Sequence, residues 1–131
     1  MRIFDEKHNN MLDSAHFRFI QLDGNFIRFF NETFKENVEW EKFSIEFLSE
    51  EDAELKFEEL SKEVGWLSIK WNKKKTLLNT FCFCRFYLDS ELNPEGIRFF
   101  KIVFWNNGRD KFIITYKDKA SALEQLKALA I

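Results

Sequence analysis

Apolar residues recur at helical spacing between Ser49 and Val64, where Ala53, Leu55, Phe57, Leu60 and Val64 include the three- and four-residue intervals of a buried stripe. Ser49 is placed to cap the first turn, Asp52 sits at the third helical position in the manner of a capping box, and Gly65 is placed to end the element. The pattern predicts a helix over 49–64 whose outer face carries Glu50, Glu51, Glu54, Glu58 and Lys62. A second helix, rich in Ala and Leu, is predicted over 119–130.

Between these helices the pattern changes to runs of aromatic and β-branched residues. Trp66 to Trp71, Leu77 to Leu88, Gly96 to Trp105 and Lys111 to Tyr116 read as strands separated by polar segments, with a turn at Asn106, Asn107 and Gly108. Phe43 to Leu48 reads as a further short strand. Upstream, Phe26, Ile27, Phe29, Phe30 and Phe34 favour a helix over 25–36 capped by Asn25, with a strand through Phe26 to Phe30 as the alternative; residues 10–22 fit part of either period. The expected class is α+β. It comprises an antiparallel curved sheet of about four to five strands, mostly within 66–117, against N-terminal helices, the acidic helix and the closing helix. No internal repeat is evident, and the length of 131 residues implies a single domain over 1–131.

Several of these strands are apolar on both faces. Strand alternation over Leu77 to Leu88 sets Leu77, Phe81, Phe83 and Tyr87 against Leu78, Cys82, Cys84, Phe86 and Leu88. Such a sheet must be covered twice, by helices on one side and by helices, a ligand or another protein on the other. Composition sharpens the point: 17 Phe, four Trp and two Tyr are present, and rings of this kind serve both cores and interface anchors.

Net charge is only −2, yet it is divided along the chain. Residues 32–63 hold 12 acids and four lysines, whereas residues 64–131 hold 12 bases and six acids. A division of this kind steers a charged partner to one face. No stretch is long and apolar enough to span a membrane and no apolar signal core opens the chain, so a soluble, cytoplasmic protein with no membrane association is expected. Cys82 and Cys84 suit a reducing compartment and read as structural core cysteines.

Chemistry is poorly represented. The two cysteines and two histidines, His8 and His16, lack metal-ligand spacing, and no phosphate loop, GxSxG elbow or HExxH helix is present. The expectation is therefore no enzyme, no cofactor and no metal. The leading reading is a small protein-binding module, most simply an inhibitor or immunity protein that occludes a toxin or enzyme such as a basic nuclease. Trp40, Glu50, Glu51, Glu54 and Glu58 are its candidate contacts. One alternative is nucleic-acid binding, with Trp71 stacking a base while Lys70, Lys73, Lys74 and Lys75 meet phosphates; the acidic whole-chain balance ranks it lower. Another is an apolar-ligand-binding curved sheet.

Overall fold

The computed structural model describes residues 1–31, 41–106 and 111–130. The fold is α+β, with ten strands in three antiparallel sheets and two α-helices among the described residues. In chain order these are β1 (Arg2–Asp5), β2 (Asn10–Asp13), a 3-10 turn (Ser14–His16), β3 (Phe19–Asp23), β4 (Phe26–Phe30), β5 (Glu41–Glu46) and α1 (Glu50–Ser61). There follow β6 (Trp66–Trp71), β7 (Lys74–Asn79), a second 3-10 turn (Thr80–Cys82), β8 (Arg85–Leu92), β9 (Arg98–Trp105), β10 (Lys111–Tyr116) and α2 (Lys119–Ala128). The chain divides into two compact units, Met1–Cys82 and Phe83–Ile131.

In the first unit, β1 and β2 form a hairpin sheet of their own, and a five-stranded sheet runs in the order β5-β4-β3-β7-β6. One face of the larger sheet presents Ile20, Ile27, Phe29, Ile45 and Leu77, which cluster with Ala53, Phe57 and Leu60 of α1 and with Ile3, Leu12 and Phe17. Fully burying an aliphatic or aromatic side chain of this size contributes about 1.5–3 kcal/mol, so this cluster holds α1 against the sheet. Ser49 caps α1 by accepting from the Asp52 amide at 3.1 Å, as the sequence predicts.

The N-terminal helices expected from the sequence are replaced by strands. Asp23 and Phe26 close a two-residue turn in which Gly24 has φ +60, the geometry of a type II′ hairpin, and β3 then pairs β4 from Phe19↔Phe30 to Asp23↔Phe26. Cross-strand packing of rings outweighs their helix-like spacing. The rest of the segment expected as helix, residues 32–36, lies outside the described residues.

The expected strand Leu77 to Leu88 is two strands. Asn79 accepts from the Phe81 amide at 3.1 Å, diverting the backbone into the 3-10 turn Thr80–Cys82. As a result β6 and β7 belong to the five-stranded sheet, and of the strands expected to share one sheet over 66–117, β8, β9 and β10 form a separate one in the order β10-β9-β8. In this second unit α2, capped by Asp118 accepting from the Ser121 amide at 2.7 Å, packs on all three strands. Cys84 is exposed and Cys82 is half-buried, with its thiol pushed up by burial, so the reading of both as core residues holds only in part; both thiols are free. Of the predicted turn after β9, Asn107 and Gly108 lie outside the described residues.

The element order contains a repeat that the sequence conceals. Hairpin, 3-10 turn, three-stranded meander and helix occur once over residues 2–61 and again over 66–128. Ser14 donates its amide to Met1 O at 2.9 Å, and Thr80 does the same to Gly65 O at 2.8 Å. Asp13 accepts from the Ala15 amide at 3.1 Å, as Asn79 does from Phe81. Ile27↔Ile45 and Phe29↔Phe43 in the first meander correspond to Ile102↔Ile114 and Phe104↔Phe112 in the second. Phe17 meets Phe29 at a ring distance of 5.1 Å, and Phe83 meets Phe104 at 5.7 Å. Ala53 and Ala122, at matching positions of the two helices, are both fully buried. The first unit therefore holds one complete repeat together with the hairpin that opens the next.

Candidate protein-binding surface

The first unit presents α1 outward along its acidic side. Every third or fourth residue, Ala53, Phe57 and Leu60, is consumed by the core, which leaves Glu50, Glu51, Glu54 and Glu58 exposed. None of these four makes an ion pair with a described residue; on this helix Lys56 binds Glu59 at 3.0 Å instead. Glu50, Glu51 and Asp52 at the first turn also lie where the helix dipole favours negative charge.

Apolar side chains punctuate this acidic strip. Leu55 is 64% exposed on the same helix, within one turn of Glu51, Glu58 and Glu59. Leu48 is wholly exposed just before the cap, and Val64 and Phe81 are 69% and 67% exposed beyond the C-terminal end. Gly65 brings these last two together: its φ of +98 turns the chain into β6, and the Phe81 ring lies over its α-carbon. The sequence reading missed Leu48, Leu55, Val64 and Phe81, assigning Leu55 and Val64 to the buried stripe and Phe81 to a strand face. Leu55 lies two residues from both Ala53 and Phe57, off their line, and that offset was the available signal.

Of the residues expected to contact a partner, Glu50, Glu51, Glu54 and Glu58 share one helix, whereas Trp40 lies outside the described residues. The basic alternative maps to the β6–β7 hairpin. Asn72 and Lys73 occupy its two-residue turn with φ of +50 and +64, the type I′ pattern, and Lys70, Lys73 and Lys75 are exposed. Trp71 is half-buried, with its carbonyl accepting from Gln21 Nε2 at 3.3 Å. Lys74 lies 3.2 Å from the Asp23 carboxylate, which also accepts from Arg28 Nε at 2.9 Å; these cations, Arg28 foremost, hold the Asp23 carboxyl below its usual range. An open groove of about 360 Å³ between α1 and this hairpin is lined by Phe57, Glu58, Ser61, Ser68, Lys70 and Lys75.

Among the described residues no group of three or more His, Cys, Asp and Glu is arranged to hold a metal, and no helix is long and apolar enough to cross a membrane. Comparison with protein-family models, curated proteins and solved structures finds no match to this chain.

Proposed function

We propose that this protein is a small binding module that captures a basic protein partner, acting as an inhibitor or immunity protein that neutralises a toxin or enzyme, such as a basic nuclease, by occlusion. The observation that carries the reading is the outer strip of α1, where four carboxylates without ion-pair partners among the described residues flank an exposed leucine and an exposed ring stands beyond the helix end. These exposed carboxylates supply long-range attraction and set the approach, while Leu55 and Phe81 provide apolar area to slow release. A helix of 12 residues is about 18 Å long, enough to form the centre of one partner's share of a standard interface.

The lysine hairpin supports nucleic-acid binding less well, because Trp71 is half-buried and Lys74 is engaged by Asp23.

The test is affinity capture from the native cell with the wild-type protein and with Glu51→Lys/Glu54→Lys/Glu58→Lys as bait. A basic protein retained by the first and lost with the second, and whose activity falls on adding the wild-type chain, supports the reading. Equal retention by both baits, or an acidic partner, overturns it.

A further inference from the structure

Among the described residues, the repeat leaves two complementary halves of one interface unfilled. Between the repeats, β3 of the first pairs with β7, the second strand of the hairpin that opens the next, through Phe19↔Leu78, Ile20↔Leu77 and Gln21↔Thr76. Both sides benefit: Phe19, Ile20, Gln21, Thr76, Leu77 and Leu78 are all buried. The counterpart of β3 in the second repeat is β8, which among the described residues pairs with β9 alone. Its Arg85, Phe86 and Tyr87, at the positions of Phe19, Ile20 and Gln21, are exposed or half-buried, and the Ser90 amide turns to the Asp89 side chain at 2.8 Å. The counterpart of the β6–β7 hairpin is β1–β2, a two-stranded sheet on its own. There Met11 occupies the position of the fully buried Leu77 yet is 56% exposed, and its cross-strand neighbour Phe4 is 52% exposed.

We propose that β8 is the docking edge for the β1–β2 hairpin of a second copy of this chain, β2 lying antiparallel to β8 as β7 lies to β3. An edge of eight residues that no described strand pairs is a template for strand addition. The register follows from the existing ladder: Leu12 opposite Arg85, Met11 opposite Phe86 and Asn10 opposite Tyr87. Two copies exchanging hairpins in this way close a dimer, whereas one-way addition extends a chain of copies. This proposal is independent of the acidic face of α1.

The experiment combines sedimentation velocity with disulfide trapping. Wild-type protein is expected to self-associate with rising concentration, and Met11→Lys, which alters a side chain already exposed in the monomer, is expected to weaken association by about tenfold or more. For trapping, Asn10→Cys and Tyr87→Cys are placed in separate chains lacking Cys82 and Cys84 (both →Ser), mixed and oxidised. A mixed-chain crosslink, absent when Phe4→Cys replaces Asn10→Cys, supports the docking. A protein that remains monomeric at all concentrations, or an oligomer that is unaffected by Met11→Lys and yields no Asn10–Tyr87 crosslink, overturns it.

Discussion

The ring of Phe81 lies so close over Gly65 that a β-carbon added there would stand 2.3 Å from Cε2. The glycine also has φ +98, a region that L side chains rarely adopt. Gly65→Ala is therefore expected to destabilise the first unit by about 1–3 kcal/mol and to displace the Phe81 ring from the end of α1. Urea unfolding measures the loss. A variant as stable as the parent would mean that the turn into β6 relaxes freely.

The duplicated ring clusters predict duplicated costs. Phe29 and Phe104 are both fully buried, each packed on the phenylalanine that follows its 3-10 turn. Phe29→Ala and Phe104→Ala are each expected to cost about 3–5 kcal/mol in chemical denaturation. A loss below about 1 kcal/mol in either would contradict the equivalence of the two cores.

Asp23 gives a pH signature. Its folded carboxyl titrates below the normal range because Arg28 donates to it and Lys74 lies beside it. The unfolded chain therefore takes up the proton first as pH falls. The stability Asp23 contributes is complete above the unfolded value of about 3.9 and is lost as pH drops through the lower folded value. The difference between wild type and Asp23→Asn is expected to be constant near neutrality and to shrink progressively in acid, as read from urea midpoints at several pH values. A difference that persists unchanged in strong acid would exclude the pairing.

Both helices, β6 and β10 were legible in the sequence because local signals agreed there: a cap, an apolar period and bounding turn residues. The strands β3 and β4 were not, since rings at helical spacing fit either element and the decision came from cross-strand partners far along the chain. The repeat was hidden for a related reason. The link from β8 to β9 is longer than the tight turn from β3 to β4, so the spacing between equivalent residues changes midway. Ile27-Arg28-Phe29-Phe30 does recur as Ile97-Arg98-Phe99-Phe100, but by strand register Phe29 corresponds to Phe104. The acidic strip was visible in the sequence because outward carboxylates need only helical periodicity; its apolar anchors depend on which side chains the core leaves uncovered, and burial is decided in three dimensions.

The most direct test of the acidic face is the association rate with the captured partner, measured by stopped flow for wild type and Glu54→Lys/Glu58→Lys over a range of salt. Wild type is expected to associate at least about tenfold faster at low salt, with the difference closing as salt rises, while circular dichroism shows both chains folded. Equal association rates at every salt concentration would contradict the assignment of this face as the binding surface.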